Sequence, residues 1–248
     1  MVRLLLIITG ASRGLGACIA KAFCEQVAVA PPRKPGVKRQ RSDELEEDEE
    51  VITFISVRLV ARSEEDMNAL REEIEVSLLQ KQQERFVQEA SSTSTNKVSN
   101  VDIDVTPVDL SDPDALGKEI SNILDNEEER HREIFAPYER IVLINNHGTL
   151  GHLGPALSST NTFQSMQEAI NLNVTASLWI SVLVTQFIIA QERFLEPYDD
   201  PETPPFEGTI VNISSLAAVQ PFPTMAVYAA GKAVRMQQRS IYLIVGLT

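Results

Sequence analysis

An α/β fold built on a doubly wound parallel sheet is what this sequence predicts, and three observations predict it. Short apolar runs rich in β-branched residues alternate with longer helical stretches, which implies βαβ units rather than hairpins. A glycine-rich loop closes the first apolar run and opens the first helical stretch. The 248 residues, 43% of them hydrophobic, suffice for one such domain with its own core. In chain order the strand candidates are residues 4–8, 52–60, a weaker 101–108, 141–144 and 209–213. The helix candidates between and after them are 14–26, 64–88, 113–129, 162–191 and 224–239. Right-handed crossovers then gather the loops after the strands along one edge, where such sheets bind ligands.

Two segments interrupt the rhythm inside what is expected to be a single domain over 1–248. Residues 30–50 carry prolines, the basic run Lys38-Arg39-Gln40-Arg41 and the acidic run from Asp43 to Glu50, with no apolar periodicity, so an acidic, disordered insertion is expected there. Residues 90–100 are rich in Ser, Thr and Asn and are expected to be a loop. A net charge of −13 argues against a nucleic-acid or anionic-membrane surface, which needs a basic face. Cys18 and Cys24 are too few for a disulfide framework, and helix packing accounts for them. The apolar run 4–8 is shorter than a signal-peptide core, and 176–190 is interrupted by Ser177, Ser181, Thr185 and Gln186. A cytoplasmic protein is therefore expected.

The first candidate site is the loop Thr9-Gly10-Ala11-Ser12-Arg13-Gly14-Leu15-Gly16. Glycines at these spacings permit a tight turn, and free amides at the following helix N-terminus suit a pyrophosphate, as in a Rossmann-type fold. The second strand candidate ends Val60-Ala61-Arg62-Ser63, with a cation where NAD-binding folds commonly carry an acid. Arg62 and Arg13 together suit a 2′-phosphate, so NADP(H) is the expected cofactor. After the third strand comes Val108-Asp109-Leu110, where Asp109 suits the adenine amino group. After the fourth comes Asn145-Asn146-His147-Gly148, where Asn146 suits the adenine-side ribose and His147, lacking a partner carboxylate, is taken as structural.

Near the C-terminus Ser215 closes the fifth strand candidate, and Tyr228 and Lys232 follow at i and i+4 on one helix face. A phenol near its ordinary pKa of about 10 is a poor acid at neutral pH. An adjacent ammonium favours the phenolate and brings that value towards the working range. Ser215 can hydrogen-bond a substrate carbonyl while Tyr228 supplies the proton.

TGASRGLG, NNHG, Asn173, Ser215 and Tyr228/Lys232, in this order, resemble the short-chain dehydrogenase/reductase pattern of TGxxxGxG, NNAG, Asn, Ser and YxxxK. The wording of LVARS, VLINNHGTLGHLG, NLNVTASLW and VNISSLAAVQPFPTMAVYAAGKA most resembles the members that reduce pterin side-chain carbonyls at the end of tetrahydrobiopterin synthesis. The resemblance implies an NADPH-dependent carbonyl reductase with Asn173, Ser215, Tyr228 and Lys232 catalytic. Asn173 would belong to the proton relay, Ser215 and Tyr228 would also contact substrate, and no metal is called for. The implied cofactor set is Gly10, Ser12, Arg13, Gly14, Leu15, Gly16, Arg62, Ser63, Asp109, Leu110, Asn146, Tyr228 and Lys232. A small carbonyl substrate follows by the same resemblance; a homodimer is left open, and the net charge and hydropathy lead to no nucleic acid or membrane partner being expected. Where the family has alanine, this chain has His147. The resemblance ends near Met236, so the last strand or strands of the sheet and a Pro-Gly loop over the nicotinamide are expected to be missing. Two alternatives stand beside the reductase: action on another small dicarbonyl, and a catalytically dead nucleotide-binding or interaction protein.

Overall fold

In the computed structural model, residues 2–27, 53–89, 100–134, 138–154, 161–195, 207–220 and 222–238 are described. The insertion expected at 30–50, the loop expected at 90–100 (except Asn100) and residues 239–248 lie outside them.

Five parallel strands form one sheet in the order β3-β2-β1-β4-β5. They are β1 (Val2–Thr9), β2 (Thr53–Ala61), β3 (Asn100–Pro107), β4 (Arg140–Asn145) and β5 (Glu207–Asn212). The helices are α1 (Gly14–Val27), α2 (Glu64–Glu89), α3 (Pro113–Ile134), α4 (Phe163–Ile170), α5 (Ala176–Leu195) and α6 (Ala226–Gln237). This is the doubly wound, Rossmann-type order that the alternation of strands and helices predicts. All five strand candidates and all five helix candidates appear, the one at 162–191 divided into α4 and α5.

β1 shows why a parallel strand is apolar throughout. Its alternate residues point to opposite faces, and both faces are covered. Leu4, Leu6 and Ile8 pack in a cluster with Ile55, Val57, Met67 and Ile74. Leu5 and Ile7 pack on the other side with Leu143, Ile180 and Val184. A buried polar knot replaces apolar contact beside β2: Arg58 donates to Glu127, and the Tyr138 hydroxyl donates to Glu127 while accepting from the Ser56 hydroxyl. A buried carboxylate is tolerable there because its charge is paired and its oxygens accept hydrogen bonds.

Two boundaries, and the length of one apolar helix, differ from the sequence expectation. Over Asn171–Thr175 the backbone makes one π turn between α4 and α5. The α4–α5 helix is continuous over Phe163–Gln191 and, by length and composition alone, long and apolar enough to cross a membrane. The expectation drawn from residues 176–190 had it too short and too polar. Ala176, Ile180, Val184 and Phe187 of this helix pack in the core of the domain. α6 begins two residues later than expected, because Thr224 takes a left-handed φ of 68° that a helix cannot continue.

Candidate functional site

β1 has β2 on one side and β4 on the other, so the winding reverses beside it. The crevice outside the strand C-termini at this point is where doubly wound sheets bind ligands. A cleft of about 340 Å³ lies there. The loop after β1 contributes Gly10, Ser12 and Arg13 to its wall, and the loop after β2 contributes Arg62 and Ser63. Asp109 and Leu110 come from the loop after β3, and Asn146, His147 and Gly148 from the loop after β4. Four loops remote in sequence thus meet in the order the motifs implied.

The glycine loop is shaped by close approach. Gly10 has φ +65°, and a Cβ there would lie 2.7 Å from the backbone Cα of His147. Only a glycine fits that conformation and that contact without strain. Asn146 Nδ2 donates to the Gly10 carbonyl at 3.0 Å, fastening the two loops together. Gly14 begins α1, and a Cβ built on it meets nothing within 4 Å. The helix N-terminus is therefore sterically open beside Arg13, and its free amides suit a phosphate group, while Gly14 itself does not line the cleft. Leu15, expected in the cofactor set, is half exposed, and neither Leu15 nor Gly16 lines the cleft. Gly16 is a packing residue, since a Cβ there would overlap the Gly10 carbonyl oxygen at 2.3 Å.

Asp109 does two things that its motif did not suggest. Its Oδ1 accepts from the Ser111 amide and hydroxyl at 2.9 and 2.6 Å, locking its own turn. Its Oδ2 lies 3.9 Å from Arg62 Nη1 across the cleft. Partial burial alone would raise the Asp109 carboxyl, but the Ser111 bonds and Arg62 hold it below its ordinary value.

The second cluster is built on α6, beyond Gly148. Ser215 caps a short 3-10 turn, Leu216–Ala218, by accepting from the Ala217 amide at 3.2 Å. Its hydroxyl hydrogen stays available to a ligand. α6 packs on this turn and presents Tyr228 and Lys232, with Lys232 Nζ 5.7 Å from the centre of the Tyr228 ring. Lys232 is buried and donates to the Ile213 carbonyl at 2.9 Å. Its ammonium is lowered to about 7, first by burial and then by the neighbouring Arg235.

Asn173 sits in the middle of the π turn, fully buried. Such turns are frequent at functional sites. Its side chain clamps the backbone of Thr149, accepting from the amide at 3.0 Å and donating to the carbonyl at 2.8 Å. The loop carrying Gly148 is thereby drawn against Lys232: a Cβ on Gly148 would lie 2.9 Å from Asn173 Oδ1 and 3.4 Å from Lys232 Nζ. Gly148 borders the cleft and the α6 cluster alike. Tyr228, Lys232, Ser215 and Asn173 adjoin the cleft without lining it.

His147 is buried among groups that hold it neutral. Its Nδ1 lies 2.6 Å from the Thr9 hydroxyl, and its Nε2 has no partner among the described residues. Burial, then Arg235 and Lys232, lower it well below its ordinary value. Arg235 itself, which the motifs did not single out, is wholly buried beside the site. A sequence signal existed: Arg235 lies three residues after Lys232 on the same inward helix face.

The profile of the short chain dehydrogenase family matches residues 67–241. Sepiapterin reductase from Bos taurus is 33% identical over 97 residues, which is 39% of this chain and 32% of that protein. Sepiapterin reductase from Xenopus laevis is 23% identical over 93% of this chain and 64% of that protein. The chain therefore matches about a third to two thirds of the length of these relatives. Among solved structures, a short-chain dehydrogenase from Sphingobium yanoikuyae in complex with NADPH superposes with a TM-score of 0.53 at 21% identity, covering 97% of this chain and 64% of that one.

Proposed function

This chain belongs to the short-chain dehydrogenase family, and we propose that it is an NADPH-dependent reductase of a small dicarbonyl, of the pterin type that its sepiapterin reductase relatives are named for. One observation carries the proposal. The buried Lys232 stands beside Tyr228 on α6, against the Ser215 turn, at the border of a cleft formed where the winding of the sheet reverses.

In this proposal Arg13 and the α1 N-terminus receive the pyrophosphate, Arg62 receives the 2′-phosphate, and Asn146 and Gly148 face a ribose. When bound, the reduced nicotinamide supplies a hydride to the carbonyl carbon. The Ser215 hydroxyl donates a hydrogen bond to the carbonyl oxygen and fixes its direction. The Tyr228 hydroxyl gives its proton to that oxygen as negative charge develops there, and Lys232 stabilises the phenolate left behind. Product is the alcohol, one hydride and one proton richer than the substrate. Asn173 holds the loop against Lys232 so that this pair keeps its place.

The experiment is NADPH oxidation followed at 340 nm with sepiapterin and with 2,3-butanedione, in parallel with NADH. Turnover of sepiapterin with NADPH supports the proposal in full. Turnover of butanedione alone reassigns the substrate to another dicarbonyl. No NADPH binding by fluorescence titration rejects the reductase and leaves the non-catalytic alternative.

A further inference from the structure

We infer that Arg235 is a positioning residue for the Tyr228/Lys232 pair, tying α6 to three backbone carbonyls and holding a second cation against the Lys232 ammonium. The inference rests on the proposed reductase chemistry of that pair. Arg235 Nε donates to the Asn173 carbonyl at 3.0 Å, and Nη1 donates to the Asn145 carbonyl at 3.1 Å and to the Ile213 carbonyl at 3.4 Å. These acceptors end β4, follow β5 and sit in the π turn, so one guanidinium fixes all three elements that border the site. Lys232 Nζ uses the same Ile213 carbonyl. The two cations therefore meet on one acceptor, and among the described residues no carboxylate pairs with either.

Burying an unpaired cation is costly, so a merely structural helix contact would be served better by an apolar side chain. What the arginine does that an apolar residue cannot is to face Lys232 with a fixed positive charge. Arg235 is lowered to about 10 by burial and stays charged at neutral pH. Its charge disfavours the protonated form of Lys232 and is one of the two causes that bring that group into the neutral range. A lysine near neutrality can exchange a proton with Tyr228 at working pH, whereas one at its ordinary value cannot. The ionisable groups facing the Lys232 and Arg235 cations are Tyr228, from α6 itself, and His147, from the loop after β4. The π turn and the 3-10 turn carry none, α5 contributes the Ser177 hydroxyl near Gln238, and Glu168 of α4 is exposed.

The test reads Lys232 without requiring turnover. The apparent pKa of Lys232 is measured by the pH dependence of its acetylation with acetic anhydride, quantified by mass spectrometry, in the unmodified protein, Arg235→Met and Arg235→Lys. Arg235→Met is expected to raise the midpoint by about one unit or more and to move the corresponding limb of the kcat profile by the same amount. NADPH affinity is expected to stay within about threefold, because Arg235 does not line the cleft. A folded Arg235→Met whose Lys232 midpoint is unchanged overturns the inference. Arg235→Lys keeps a charge but cannot span three carbonyls, so the midpoint stays low while kcat falls at least about tenfold at unchanged KM. Unchanged kcat in Arg235→Lys overturns the positioning role even if the methionine variant does not fold. If the unmodified protein oxidises no NADPH with either dicarbonyl, the reductase proposal fails. A Lys232 midpoint that ignores Arg235 is the separate failure of this inference.

Discussion

Gly231 and Asn173 touch so closely that a methyl group on the glycine would lie 2.7 Å from the Asn173 Cβ. The contact locks α6 onto the π turn one residue before Lys232. Glycine to alanine inside a helix ordinarily stabilises by roughly 0.5–1 kcal/mol. Overpacking a filled site costs about 1–3 kcal/mol, so the steric effect wins here. Gly231→Ala should therefore lower the melting temperature, and kcat should fall with it as Asn173 is displaced. Thermal unfolding followed by circular dichroism decides it, and a variant more stable than the parent contradicts the packing described.

Tyr228→Phe removes the transferable proton and little else, since the ring remains beside Lys232. Turnover is expected to fall about 10²–10⁴-fold. NADPH affinity, measured by fluorescence quenching, should change by less than about threefold. Retained turnover would assign the proton to another group.

Lys232 makes the stability of the ligand-free protein depend on pH in a definite direction. Its folded value is lowered to about 7, against roughly 10.4 for a free lysine. Between those values the unfolded chain binds a proton that the folded chain has released, so stability climbs with pH across the window. Below pH about 7 both states are protonated and the full cost of the buried charge is felt. Lys232→Met should therefore gain melting temperature over the parent at pH 6–7 and lose that advantage towards pH 10. An advantage that does not shrink with rising pH would show that Lys232 is not depressed.

Cofactor choice is proposed to lie with Arg62, whose side chain is 68% exposed and faces Asp109. An exposed cation contributes less than a buried one, and the Asp109 carboxylate competes for it. Arg62→Asp is therefore expected to weaken NADPH by about tenfold, roughly 1.4 kcal/mol, with little change for NADH. Comparison of the two dissociation constants in parent and variant at fixed ionic strength checks this. Equal affinities in the parent would remove Arg62 from the choice.

The continuous apolar run of β1, the glycine loop, the Asn146 turn and the spacing of Ser215, Tyr228 and Lys232 were all legible in the sequence. Each depends on residues close together in the chain, where backbone geometry and side-chain direction follow from residue type and spacing alone. Asn173 was legible only through resemblance, because its work is to clamp Thr149, 24 residues away, from inside a π turn that no local pattern announces. His147 lacked a sequence partner because its neighbour, Thr9, lies on another strand. The Arg62–Asp109 pair and the burial of Arg235 were decided by tertiary structure as well. Strand order brings the β2 and β3 loops together, and α6 folds over the ends of β4 and β5. The sequence determined which groups are present and which local turns present them. Which charges face each other, and therefore where Lys232 titrates, was decided only when packing excluded water from around them, since burial and charge proximity are properties of the assembled fold.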